Sequence, residues 1–551
     1  MLALLKNFNK GVFETMTKEV SRLIDDILDR ENELQPPSAT FKGIHDFDEE
    51  WDDPGPEGIA AYEAFVDKYV GRVEEAARTA EGEDVVDLAL ARARLANYDI
   101  SLRVLDDLRL NPIGVPATVV QTLFIMLVRD YAPLEERLGA MLARMRKVPA
   151  YCEKGKLPFE KPVAKFVELA VQMAAQAGLF LARVVPAAAE QAGSKYAADL
   201  ATAGERAAAA LDDFVTHVRG LPVREDFAAG REGFDRLLAE YHLLDYDADS
   251  LLAFGRESVA QTQAELAALA EEIRPGATPA QLIEELKKDH PTADELLDYY
   301  RDWMARSRQF TIDKNLCGLP EGEELEVIPT PEFERAVMPY GAYMPAAAYE
   351  PRQKGFFYVT PVEPDATPEE REQKLAGHNR AKVPIVALHE GYPGHHLQLC
   401  WANRVGNRIR REFHSNPLIE GWALYCEDMM REQGFYDDER IILGQKKDTL
   451  WRAARVVLDV SLHTGGMTFD EAVAFLMDVV SLERVNAEAE VRRYIYTPTQ
   501  PMSYLVGRRE IMALRDDYFQ RHPETSLREF HDRLLAVGSL PVKLVRQAVL
   551  S

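Results

Sequence analysis

Residues 381–401 read AKVPIVALHEGYPGHHLQLCW. An apolar run ends in His389-Glu390, and Pro393-Gly394 then precede His395-His396. The chain holds 12 histidines in 551 residues, yet three of them fall beside a glutamate in this one segment. Imidazole nitrogens next to a carboxylate are what a zinc ion and its activated water require. In an H-E-x-x-H helix the two histidines stand one turn apart and converge on one ion. Position 393 is proline, so that spacing is absent here.

Local geometry predicts how the spacing is recovered. A helix is expected from near Pro384, since proline suits a first turn. Along a regular helix His389 and His396 lie two turns apart, roughly 10 Å at 1.5 Å per residue. That is too far for two nitrogens each about 2 Å from zinc. Pro393 lacks an amide and Gly394 tolerates unusual dihedrals. Together they predict a bulge of about two extra residues, which brings His395 to the place of the usual second histidine. A longer bulge selects His396 instead. His395 is the preferred ligand, and His396 is then expected beside a ligand or against substrate.

A third ligand is sought downstream, in SNPLIEGWALYCEDMM at 415–430. Asn416 suits a helix cap and Pro417 its first turn. Glu420 and Glu427 share a helical face among Ile419, Trp422, Ala423, Leu424 and Tyr425. Acidic groups in so apolar a helix are costly to bury unless paired or metal-bound. Glu420 is the expected third ligand, and Glu427 the carboxylate expected to hold a ligand imidazole from behind. Glu390 is the expected general base.

The pattern H-E-x-x-P-G-H-H followed by E-G-W-A-x-Y-x-E resembles a bacterial family catalogued only as a domain of unknown function. That family is regarded as a branch of the gluzincin-like zinc metallopeptidases, with carboxypeptidase Taq, angiotensin-converting enzyme and thimet oligopeptidase. The segments GAYMPAAAYEPRQKGFFYV, LWRAARVVLDVSLHTGGMT and VRRYIYTPTQPMSYLVG belong to the same resemblance. It implies a large multi-helix fold with a deep central cleft, a single Zn2+ ion, and hydrolysis of short peptides; the alternatives are a metal-dependent hydrolase or lyase on a non-peptide substrate and a catalytically silent peptide-binding module. Asn416-Pro417 stand before Glu420 much as Asn-Pro precedes the ligand glutamate in angiotensin-converting-enzyme-like sequences. The two-residue insertion before His395 departs from the wider group's H-E-x-G-H.

Further candidates lie toward the C-terminus. Arg452, Arg455, Asp459 and His463 share one helical stripe. A solvated charged face is the ordinary reading, but the apolar residues around them leave little exposed surface. His463 could stabilise an oxyanion and Arg455 could bind a substrate carboxylate. Arg493, Tyr494, Tyr496 and Tyr504 surround a Pro-rich turn. Arg493 and Tyr494 are candidate substrate contacts, with core packing the alternative for each tyrosine. The resemblance implies a tyrosine as oxyanion donor, and Tyr504 and Tyr494 are the candidates. Tyr343 and Tyr349 could border a substrate groove, since edge strands bind extended peptides by backbone pairing.

The rest of the chain reads as mainly α. Apolar residues at 3/4 spacing predict helices over about 57–80, 84–110, 116–146, 159–190, 195–220 and 247–274. The Ala-rich faces of VAKFVELAVQMAAQAGLFLARVV and AADLATAGERAAAALDDFVTHV predict close helix packing. Leu34–Pro56 and Asn315–Arg335 read as loops, and 324–361 as a small sheet just before the His389 helix. An N-terminal helical half, 1–315, and a catalytic half, 316–551, are expected.

Net charge is −26, which disfavours nucleic acid and anionic membrane as partners. No apolar run near 18 residues is counted, and MLALLKNFNKGVFETMTKEV shows no cleavage site, so a cytoplasmic monomer or homodimer is expected. Cys152, Cys317, Cys400 and Cys426 form no C-x-x-C pair and read as reduced thiols.

Overall fold

The computed structural model describes residues 17–331, 335 and 340–550. They form two compact units, each built mainly from helices. The first contains the residues up to Phe227 with Glu240–Leu243 and Gly406–Phe413. Its helices Pro56–Ala77, Glu83–Asp99, Gly114–Val128, Leu134–Lys156 and Ala197–Arg219 follow the 3/4 spacing. The stretch expected as one helix over 116–146 is broken, because Arg129 turns extended and Pro133 starts the next helix. The expected loop Leu34–Pro56 holds a short helix, Pro36–Lys42, opened by proline and closed by Gly43 at φ 86.

One stretch departs from the sequence count. Ala164–Gln191, 28 residues at mean hydropathy 1.3, is long and apolar enough to cross a membrane. Its apolar window is 39% buried, and it packs closely on one neighbour. A Cβ on Gly204 of the neighbouring helix would meet Leu181 O at 2.1 Å, so the two backbones touch.

The second unit contains Ala228–Ala239, Leu244–Val405 and the residues from His414 onward. The division expected after residue 315 falls inside it. Its first helix of interest, α1 (Leu296–Asp313), was not foreseen from periodicity. It buries Leu296, Tyr300, Trp303 and Met304 on one face. A three-stranded sheet follows, with β1 (Glu324–Pro329), β2 (Gly341–Met344) and β3 (Lys354–Val359) in the order β1-β3-β2. β1 pairs with β3 in parallel, Glu324 opposite Lys354; β2 pairs antiparallel, Tyr343 opposite Phe357. Arg301 of α1 donates to Val327 O at 3.1 Å, capping the outer side of β1. Residues 332–334 and 336–339 of the expected strand region, like 1–16, lie outside the described residues.

After the sheet come α2 (Lys382–Glu390), α3 (His395–Ala402), α4 (Asn416–Glu432), α5 (Glu439–His463), α6 (Arg484–Tyr494) and α7 (Ser503–Arg521). Helices α4 and α7 meet backbone to backbone. A Cβ on Gly507 would lie 1.6 Å from Pro417 O, and one on Gly421 2.3 Å from Gly507 C. Only glycine at both positions permits this approach. Trp422 and Tyr425 of α4 are fully buried, and burying each such side chain contributes roughly 2–3 kcal/mol.

Candidate metal centre

The expected bulge is instead a break between two helices. Helix α2 stops at Glu390, Gly391 adopts φ −102 and ψ −97, and α3 begins at His395. Gly394 makes the break possible: its Cβ would sit 1.9 Å from His389 O and 2.4 Å from Leu388 O. The loop is pinned from α4, where Trp422 Nε1 donates to Pro393 O at 2.8 Å. Restarting the helix turns His395 back over His389, with ring centroids 4.8 Å apart and nearly perpendicular.

His389, His395 and Glu420 each bring one donor atom within 4.8 Å of the others. His395 Nε2 lies 3.4 Å from Glu420 Oε2. Donors about 2 Å from a tetrahedral zinc stand about 3.3 Å apart, so this pair already has the edge length of such a site. Both histidines are buried, 6% and 8% exposed. Burial, with His395 alongside, pushes the His389 imidazole down to about 3, which keeps it neutral as a ligand must be. Burial also acts on His395, but Glu420, Glu390 and Glu427 outweigh it and raise its affinity for a proton. A pocket that draws a proton onto His395 draws a divalent cation by the same field. His395 Nδ1 is buried with no hydrogen-bond partner among the described residues. Two imidazoles, a carboxylate and a cation-attracting field fit a zinc ion.

Behind this cluster, His389 Nδ1 is 2.7 Å from Glu427 Oε1. In the tautomer that leaves Nε2 to the cluster, Nδ1–H donates to that carboxylate. Arg452 approaches Glu427 Oε1 at 3.5 Å and Asp448 at 3.4 Å. Burial pushes Glu427 up to about 8 against the pull of Arg452. Glu390 is half-buried and has no hydrogen-bond or ion-pair partner among the described residues.

The remaining candidates separate into two groups. Tyr504 stays near the cluster: burial and the charge of Glu420 raise its phenol, and Arg455 stacks 4.8 Å over its ring. Arg455 donates to Tyr494 Oη at 2.9 Å and to Glu490 at 3.2 Å. Arg493 donates to Gln500 at 2.8 Å and to Glu490 at 3.0 Å. Thus two guanidiniums share the Glu490 carboxylate beside Tyr504.

His463 and Tyr494 do not serve the reacting centre as the sequence reading expected. His463 Nδ1 accepts from Ala229 N–H at 3.3 Å and Nε2 donates to Tyr494 O at 3.0 Å. Burial lowers its imidazole to about 4, so it is a neutral strut with no donor left for an oxyanion. The Tyr494 hydroxyl accepts from Arg455 and Trp451 and donates to Glu490. Its ring is fully buried. Packing the α5 stripe under α6 fills both groups' hydrogen-bonding capacity.

His396, the alternative ligand, points elsewhere. It is fully buried and bonded to Glu323 and Tyr343. The Tyr343 hydroxyl is therefore engaged with the protein rather than offered to substrate. Sequence reading missed Glu323, Tyr392 and Arg308, which close this network. They come from a loop, the α2–α3 break and α1, and no spacing connects them.

A mainly helical protein with a small sheet and a two-histidine, one-carboxylate cluster is the class that fold and site define. The chain belongs to a family described as bacterial protein of unknown function (DUF885), whose model matches residues 36–549. No curated protein matches it. Solved structures that share the fold include the following two. One, from Shewanella oneidensis, is described as a putative lipoprotein of unknown function; it has TM-score 0.79 at 24% identity, covering 98% of this chain and 100% of that one. The other, a putative lipoprotein from Colwellia psychrerythraea, has TM-score 0.76 at 16% identity, covering 97% and 98%. These descriptions correct the expected cytoplasmic location, which is withdrawn.

Proposed function

We propose that this chain is a zinc-dependent peptidase of gluzincin type acting on short peptides. The observation that carries the reading is the convergence of His389, His395 and Glu420 donor atoms within 4.8 Å, with the half-buried Glu390 next to the first ligand. When bound, zinc supplies Lewis acidity toward a water and a scissile carbonyl. Glu390 takes the proton of the attacking water and passes it to the leaving amine. Tyr504 donates a hydrogen bond to the developing oxyanion. Glu427 holds His389 in the tautomer and orientation that present Nε2.

Metal analysis joined to a peptide-library digest tests this. The expected result is one zinc per chain, peptide turnover, and a Glu390→Gln variant that keeps zinc but loses about 10²–10⁴-fold in rate. A metal-free purified protein that resists zinc loading, or a fully active Glu390→Gln variant, removes the reading.

A further inference from the structure

His396 follows a cluster residue directly yet makes no contribution to the cluster. Its Nε2 lies 3.0 Å from Glu323 Oε2, and its Nδ1 3.1 Å from the Tyr343 hydroxyl on β2. Glu323 also accepts from Arg308 Nη2 at 2.8 Å and from the Tyr392 hydroxyl. A carboxylate gathering donors in this way assigns the proton of His396 to Nε2. Nδ1 must then accept from Tyr343, and both ring nitrogens are used. The imidazole is wholly buried, where an unmet polar atom is costly. Space for the contact is made on β3: a Cβ on Gly355 would stand 2.9 Å from His396 Nδ1 and 2.9 Å from the Tyr343 ring.

We infer that His396 is a positioning residue that ties edge strand β2, through Tyr343, to the helix carrying His395. Glu323 fixes the imidazole's tautomer and Arg308 ties the network to α1, so the bond has one orientation. The spacing between β2 and the metal cluster is thereby set. The kinetic consequence rests on the peptidase reading: an extended peptide lying against the sheet edge meets the cluster at a set residue. The structural consequence stands without it.

The test uses the full chain and three variants, Tyr343→Phe, His396→Gln and Gly355→Ala, with His395→Gln as the metal control. Tyr343→Phe removes one hydroxyl, and Gly355→Ala parts the pair without altering either member. Hydrogen–deuterium exchange is expected to quicken at 341–344 in all three, while 395–402 and zinc content stay as in the parent. With a cleaved peptide, KM is expected to rise about tenfold at little-changed kcat, the mark of lost uniform binding. Unchanged exchange at 341–344 in Tyr343→Phe and His396→Gln overturns the inference. So does zinc loss in His396→Gln with zinc retained in His395→Gln, since His396 would then be a ligand. A parent protein without peptide turnover removes the peptidase reading, and the exchange result alone then decides the role of His396.

Discussion

His389 Nδ1 and Glu427 Oε1 lie 2.7 Å apart across two buried helices, α2 and α4. The contact fixes which imidazole nitrogen faces His395 and Glu420. Glu427→Ala frees the ring and is expected to weaken zinc binding about 10–100-fold. Competition against a chromophoric chelator measures it. Unchanged affinity would mean that the pair supports the fold alone.

Gly394 stands where a Cβ would lie 1.9 Å from His389 O. Gly394→Ala must displace α3 from α2, and overpacking of this kind costs about 3 kcal/mol. Urea titration is expected to show the lowered midpoint, and the remaining folded protein should carry less than one zinc per chain. A variant as stable and as metal-rich as the parent would show that the break has slack.

Tyr504 and His463 should behave oppositely. Tyr504→Phe removes the hydroxyl proposed to meet the oxyanion, and kcat is expected to fall about 10²-fold at unchanged thermal stability. His463→Gln breaks the links to Ala229 and Tyr494. It should lower Tm and, on the proposed peptidase reading, leave kcat of the folded protein close to the parent's. Equal kinetic losses in the two variants would return His463 to the reacting centre.

Acid stability depends on Glu31 in the first unit. Burial alone would raise this carboxyl, but Arg94 at 2.6 Å, Lys42 and Tyr98 carry it down to about 2 from 4.5. Because the folded value is the lower, the stabilisation is complete above pH 4.5 and is lost as pH falls toward 2. Tm measured across pH 2–6 should fall through that window, and Glu31→Gln should flatten the slope. A parallel decline in the variant would assign it to other carboxylates.

Much of the site was legible because its parts are close in sequence or share a helical face. Glu420 and Glu427 drew notice as acids in an apolar helix, a placement that burial makes costly without partners. Pro393-Gly394 marked where a regular helix must fail. The stripe of Arg452, Arg455 and His463 was equally legible as a face, but a face does not say what packs on it. For His463 the answer was two backbone groups, and for Arg455 it was Tyr494 and Glu490.

By itself, then, the sequence determined a mainly helical chain, an irregularity at Pro393-Gly394, and a short roster of candidate metal ligands. These follow from local rules of spacing, propensity and burial cost. The choice of His395 over His396 for the cluster was decided by tertiary structure. It depends on Trp422 reaching Pro393 from α4 and on Glu323, Arg308 and Tyr343 taking up the second imidazole. Those partners are tens of residues away, and each hydrogen bond exists only once packing has excluded water from the whole network.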